Sequence, residues 1–448
     1  MAAALVMCAL HGAAPAQTVS PRSAESGFRA SVVKVNITPN TPKQLLGYGA
    51  RLSTGIHDSI YHRIVVLDDG VTQFYLVSSE LCLISPSEYD RVADMLQKKL
   101  GIDPVNFWWT VTHTHSAPEV GVPGLAEVFM GDRYKHPVDT AYTSFIEKSI
   151  LDGIVEARRR LRPARMGVGW GFSQANINRR AIDINGKATI GLNPDGAVDR
   201  RIGVIRIDRY DGSPLVLIAN YAIHGTVLGG QFVEISGDVQ GTVAEYVEQQ
   251  IGAPLVFING AAGNMAPIYS VYPDPASGHL DQFRVLLGER ILDANRNIVP
   301  STDSVRLFSA ALTIQSPRKE GLDWPPYLAS YSHESRNGVK MVKLPVRFLR
   351  INNDVAIWAA PVELFCEISN EIRDRSPFPF TFYYGYTNGW LGYLPARDAW
   401  RHGGYEVDVV SAFTPVMSDN IIDSVVSYLK GELSSFSPKS SKATKRKR

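Results

Sequence analysis

Eight short runs are rich in β-branched and aromatic residues, and several have no polar interruption. They occupy residues 63–67, 74–79, 107–112, 203–208, 215–221, 255–258, 346–351 and 355–360. A strand with one wet face alternates apolar and polar residues. Uninterrupted runs therefore specify strands covered on both faces. Helical patterns lie between them, at 86–100, 140–161, 239–251, 282–295, 364–373 and 419–429. The sharpest is 86–100. Ser85 stands at the N-cap, Pro86 takes the first helical position, Glu88 sits where a capping box needs it, and Gly101 ends the run. No internal repeat or Pro/Ser linker divides the body, and 273–278 and 317–337 read as surface excursions. The fold expected is α/β (mixed α+β): a single large catalytic domain with a mixed central sheet and flanking helices.

Charge adds an exclusion. The 448 residues carry a formal +2, from 46 Lys+Arg against 44 Asp+Glu. Six of the basic groups, Lys439, Lys442, Lys445, Arg446, Lys447 and Arg448, crowd the C-terminus. Without them 40 basic groups face 44 acidic ones, so no basic face for nucleic acid is implied. Residues 435–448 are expected to be a disordered basic tail. At the other end, Ala2 to Leu10 is an apolar run far shorter than the ~20 residues that span a bilayer. Ala14-Pro15-Ala16 then offers a small-residue cleavage site before Gln17. Residues 1–16 read as a secretory signal peptide and 17–434 as the catalytic domain, giving a secreted or periplasmic protein without a transmembrane segment. The mature chain keeps Cys82 and Cys366, both in apolar contexts. Free buried thiols are expected, with one disulfide left open, and the absence of CxxC rules out a thiolate zinc site.

The chemistry gathers where buried strands end. Run 107–112 opens into His113-Thr114-His115-Ser116. On an extended backbone His113 and His115 share a face, and paired imidazoles suit a transition metal. Two hydrogen-bonded structural histidines are the plain alternative. Run 215–221 leads into His224, run 255–258 into Gly260-Ala261-Ala262-Gly263-Asn264, and run 355–360 into Glu363. Binding sites in open sheets collect at carboxyl ends of strands. Two histidines, a carboxylate and an open position form the pattern of catalytic zinc. The Tyr and Trp clusters at 382–386 and 390–393 are core or pocket lining. HExxH, GxSxG and the phosphate-binding loop are all absent.

These residues resemble the neutral (non-lysosomal) ceramidases over roughly 30–433, the catalytic N-terminal domain. The resemblance rests on Val35-Asn36-Ile37-Thr38-Pro39, Thr112-His113-Thr114-His115-Ser116, Asn178-Arg179, Tyr221-Ala222-Ile223-His224, Ile235-Ser236-Gly237-Asp238, Gly263-Asn264-Met265-Ala266-Pro267, Pro361-Val362-Glu363 and Gly392-Tyr393. It implies one zinc ion per chain held by His113, His224, Glu363 and Tyr393. It places His115 beside the zinc-bound water and Arg179 on the substrate's polar part. Asn264, in the loop at the scissile bond, joins His115 in the implied catalytic group. The implied reaction is amide hydrolysis of ceramide to a fatty acid and a sphingoid base.

Two departures stand out. The family loop reads Gly-Asp-Val-Ser-Pro, whereas Ala266 here lacks the hydroxyl that a serine acyl-enzyme would require. The C-terminal immunoglobulin-like domain of full ceramidases is not expected after Leu429. Substrate is thus less constrained than metal. An ester, a sugar-linked compound or another small polar compound stays open, as does a non-catalytic binding descendant. Transient contact with a membrane surface would accompany a lipid substrate.

Overall fold

A computed structural model of the chain describes residues 27–431 apart from 50, 135 and 271–278. The expected signal segment 1–16, the tail 435–448 and the excursion at 273–278 lie outside the described residues. The expected mixed sheet has eight strands, in the order Leu255–Asn259, Pro214–Tyr221, Arg201–Arg209, Arg162–Phe172, Arg29–Asn36, Tyr61–Asp68, Gln73–Ser79, Phe107–Val111. The outermost pair at each edge is parallel and the interior pairs are antiparallel. A second sheet accompanies it, ordered Leu307–Pro317, Lys340–Ile351, Val355–Ala359, Phe380–Tyr384, with Ser332–Glu334 paired beside Lys340–Ile351. The region 317–337 is therefore only partly an excursion.

Side-chain alternation explains the uninterrupted runs. Val65, Leu67, Phe74, Leu76, Val256 and Ile258 enter one apolar cluster together with Leu349, Ile357 and Phe382 of the second sheet. Ile64, Val66, Tyr75 and Val77 point the other way, into a cluster with Val92, Leu96, Ile150 and Ile154 of helices Pro86–Leu100 and Thr140–Arg159. Leu217, Ala219, Leu255 and Phe257 are covered by helices Asp238–Ile251 and Glu289–Arg296. Helices Cys366–Arg375 and Val416–Leu429 cover Val346, Phe348, Ala356 and Trp358. Every second residue thus meets either the other sheet or a helix, leaving no face for polar side chains.

Three local expectations change. Ser85 occupies the N-cap, but its hydroxyl pairs with Ser87 Oγ at 2.8 Å, so the capping box is not formed. The segment 282–295 divides into a π-helical turn at Arg284–Gly288 and the helix Glu289–Arg296. Helix 364–373 starts later, at Cys366, because Glu363–Leu364 forms a short parallel ladder with Tyr393–Leu394. Cys82 and Cys366 are buried free thiols. Among the described residues, no helix is long and apolar enough to cross a membrane.

The strands Phe107–Val111 and Leu255–Asn259 stand at opposite ends of the sheet order, yet the sheet curls until they meet. Asn259 Nδ2 donates to the Thr112 carbonyl at 3.0 Å, and Ser78 Oγ donates to the Phe257 carbonyl at 2.6 Å. The second sheet joins the same corner. Asn388 Oδ1 accepts from Trp109 N at 2.9 Å, and Thr110 Oγ1 donates to the Gly385 carbonyl at 2.9 Å. One corner of the molecule therefore receives the carboxyl ends of strands from both sheets.

One buried histidine of the large sheet sets an acid limit. His62 bonds Ser79 Oγ through Nδ1 at 2.7 Å, and burial pushes its imidazole down to about 3. It is neutral when folded, whereas the unfolded chain takes up a proton below about 6.5. Its contribution is complete above that value and is lost as pH falls from there toward about 3. The loss from this group between pH 7 and pH 4 is about 3 kcal/mol. Urea titrations are expected to show a stability drop that is smaller in His62→Gln. An identical pH dependence in the two proteins would refute the assignment.

Candidate metal centre

The corner holds His113, His224 and Glu363, all buried, with one donor atom from each lying within 4.8 Å of the others. Glu363 Oε2 lies 3.2 Å from His113 Nε2 and 3.1 Å from His224 Nε2. Tyr393 OH is 3.3 Å from His224 Nε2, and His115 Nε2 is 3.2 Å from His113 Nε2. Donors bound at about 2.0–2.1 Å around a tetrahedral ion sit about 3.3 Å apart. The observed separations match the edges of such a shell.

The tautomers point the same way. His224 Nδ1 faces two carbonyls, Ala262 O at 2.7 Å and Met265 O at 3.0 Å, and His113 Nδ1 faces Cys82 O at 3.0 Å. Carbonyls only accept, so each Nδ1 carries the proton and each Nε2 presents a lone pair to the centre. Protonating both nitrogens is opposed by burial, which with Arg179 nearby brings the His224 imidazole down to about 4. Two lone pairs facing a carboxylate oxygen is a donor set that a cation satisfies. Burial by itself would raise the Glu363 carboxyl; positive charge at the two facing nitrogens, from a proton or a cation, holds it well below the usual range.

The neighbours fix these donors in place. Trp390 Nε1 donates to Glu363 Oε1 at 3.0 Å and Tyr386 OH to Oε2 at 3.2 Å. Arg179 Nη2 donates to Tyr393 OH at 2.8 Å, while its Nε reaches Glu406 Oε1 at 3.0 Å. Glu406 Oε2 takes Arg180 Nη1 at 2.5 Å, completing a buried Arg–Glu–Arg triad. Burial pushes the Tyr393 phenol well up, and Arg179 acts against that. Burial, with His113 and His224 adjacent, keeps His115 well below the usual imidazole range and hence neutral.

Six residues expected from the sequence meet here: His113, His115, Arg179, His224, Glu363 and Tyr393. The two neighbouring histidines do not converge by strand alternation, however. The strand ends at Val111 and His113 takes φ 69°, a left-handed conformation uncommon outside glycine. This kink, with His115 N bonded to the Gly225 carbonyl at 2.9 Å, turns both rings to the centre. Tyr386 and Asn388 also take positive φ, so backbone strain concentrates at this corner.

Asn264 is not brought to the cluster. Its Oδ1 accepts from Cys366 N at 3.0 Å and its Nδ2 donates to Glu367 Oε2 at 2.8 Å, so it tethers the first turn of helix Cys366–Arg375. The glycine-rich loop serves packing rather than ligand approach. A Cβ on Gly263 would stand 2.6 Å from the Glu363 carbonyl oxygen. Ala266 does line the cavity above the cluster, which has a volume of 360 Å³ and is walled by Tyr48, His115, Arg179, Tyr393 and Tyr405. A larger cavity of 550 Å³ opens elsewhere, bordered by Asn178, Arg180 and Glu367, and none of the cluster's donors reaches it.

Tyr386 and Trp390 belong to the aromatic clusters that read equally as core or pocket. Glu406, Tyr48, Arg51 and Tyr405 carried no signal, because single polar residues between unremarkable neighbours do not announce a buried partner.

The family model for neutral/alkaline non-lysosomal ceramidase, N-terminal, matches residues 28–261. The chain belongs to that family. His113, His115, Arg179 and His224 fall inside the matched stretch, and Glu363 and Tyr393 fall after it. The chain is 28% identical over 246 residues to neutral ceramidase B of Dictyostelium discoideum, covering 52% of this chain and 33% of that protein. It is 29% identical over 252 residues to the neutral ceramidase of Mycobacterium tuberculosis, covering 53% of this chain and 38% of that one. The matched region is thus little more than a third of these relatives' length. In fold, the chain is similar to the neutral ceramidase of Pseudomonas aeruginosa, with TM-score 0.71, 17% identity, and coverage of 91% of this chain and 75% of that one. The ceramidase fold thus extends well beyond the stretch where sequence similarity is found.

Proposed function

We propose that the chain is an exported zinc-dependent hydrolase that cleaves an N-acyl amide bond in the manner of a ceramidase. The observation that carries this reading is the pair of imidazole Nε2 atoms facing one carboxylate oxygen, each ring anchored through Nδ1 to a carbonyl, at separations that suit a tetrahedral ion. His113, His224, Glu363 and Tyr393 would hold the zinc. When bound, zinc supplies an acidified water and polarises the scissile carbonyl. His115, neutral and facing the same centre, takes a proton at Nε2 and passes it to the departing amine. Arg179 holds the Tyr393 hydroxyl in place and brings a fixed positive charge to the cavity wall. Asn264 acts as a positioning residue: it ties the loop 260–264 to the helix that follows Glu363. The 17–434 stretch is the unit we assign this activity.

The substrate class has two versions. Ceramide, giving a fatty acid and a sphingoid base, is the family-based one. A smaller N-acyl compound or ester is favoured by the cavity of 360 Å³, at the lower end of the range for small-molecule sites, and by the methyl of Ala266 in its wall. Zinc content and turnover should be measured together on purified protein, across N-acyl amides from acetyl to long-chain and matched esters. Near-stoichiometric zinc is expected, with activity lost on chelation and restored by zinc. Metal-free protein after zinc-replete preparation would overturn the reading. The chain-length optimum decides between the two substrate versions.

A further inference from the structure

One wall of the cavity is a small hairpin. Gln44–Leu45 pairs with Arg51–Leu52, and the first arm is stitched to the segment after His115: Leu46 N donates to the Ala117 carbonyl at 3.1 Å, and Leu45 bridges Pro118. The hairpin grips His115 in three ways. Gly47, at φ +117°, lies so close that a Cβ there would stand 2.5 Å from His115 Cγ. The Tyr48 ring meets the imidazole edge to face, with centroids 4.8 Å apart. Arg51 Nη2 donates to the His115 carbonyl at 2.6 Å while its guanidinium lies 4.9 Å from the Tyr48 ring centroid. Arg51 Nη1 also donates to the Phe232 carbonyl at 2.8 Å, anchoring the hairpin to the opposite rim.

Tyr48 is therefore held firmly, packed between a clamped arginine and the proton-carrying histidine. Its side chain lines the cavity. Among the described residues its hydroxyl has no hydrogen-bond partner. Burial, with Asp238 nearby, pushes the phenol pKa well up, so the group stays a donor. A donor fixed at the cavity wall with no acceptor from the protein is free to donate to a bound ligand.

We propose that Tyr48 is a specificity-determining residue whose hydroxyl donates to an oxygen on the amine half of the substrate. The assignment rests on the hydrolytic reading above. His115 delivers its proton to the departing nitrogen, so the ring packed on His115 borders that half of the substrate. Arg51 is a positioning residue that holds the Tyr48 ring.

The test uses two amides with the same acyl group, differing only by a hydroxyl next to the amine nitrogen. Wild-type protein is expected to prefer the hydroxylated one. In Tyr48→Phe the ratio of kcat/KM between the two should fall about tenfold, the effect of one hydrogen bond. Phenylalanine keeps the ring contacts, and an unchanged melting temperature checks the fold. An unchanged ratio in Tyr48→Phe overturns the assignment while leaving the hydrolytic reading intact. Failure of zinc-loaded wild-type protein on both amides refutes the hydrolytic reading, and the Tyr48 assignment with it.

Discussion

Replacing Glu363 with alanine is expected to empty the metal centre and reduce turnover by more than about a hundredfold. Substitutions of residues that merely hold a metal ligand in place cost about 10–100-fold. Glu363 stands closer than that, with Oε2 within 3.2 Å of both histidine Nε2 atoms. The same change leaves Trp390 Nε1 and Tyr386 OH as buried donors without their acceptor. Each such loss costs about 1–3 kcal/mol, so alanine mixes metal loss with destabilisation. Glu363→Gln separates the two, because its amide oxygen still accepts from Trp390 while the charge is gone. Metal analysis should give less than one-tenth of an ion per chain for both variants, with the glutamine form close to wild type in urea stability. Full zinc occupancy in Glu363→Gln would remove this carboxylate from the ligand set.

Replacing Glu406 with alanine should produce the largest loss of stability. Its two oxygens are divided between Arg179 and Arg180, and all three side chains are buried. Without the carboxylate, two guanidinium groups remain in a low-dielectric interior. Breaking such a group by removing one partner costs about 3–5 kcal/mol. Activity should fall as well, because Arg179 links Glu406 to Tyr393 OH. Glu406→Gln retains two polar atoms and should lose less. A wild-type denaturation midpoint in Glu406→Ala would show that solvent or other groups already compensate the arginines.

How much of this was legible in the sequence varies with the physical range of each cause. Buried strands were legible because the burial of alternate residues on both faces leaves an uninterrupted apolar run, as in Val65, Val66 and Leu67. Longer and more polar strands were not. Leu307–Pro317 and the first half of Lys340–Ile351, before the apolar run 346–351, present a partly exposed face, and their composition resembles surface loop. The missing capping box at Ser85 shows the limit of a local motif, since a neighbouring hydroxyl competed for the side chain. At the site, donor residues at strand ends were legible by type and place. Their second contacts were not: Trp390, Tyr386 and Glu406 become informative only once a buried carboxylate or guanidinium faces them. The side-chain contacts of Asn264 were hidden for the same reason, because its partners Cys366 and Glu367 lie far along the chain.

By itself the sequence determined which segments are strands covered on both faces and which chemical groups stand at their ends. Both follow from local rules, the two-residue period of a strand and the coordination preferences of imidazole and carboxylate. Only the tertiary structure decided that those ends meet. The large sheet curls until its two edge strands bond through Asn259 and Thr112, and Asn388 joins the second sheet to the same corner. The left-handed backbone of His113 then turns its ring inward. Curvature and strain of this kind are set by long-range packing, which no window of neighbouring residues encodes.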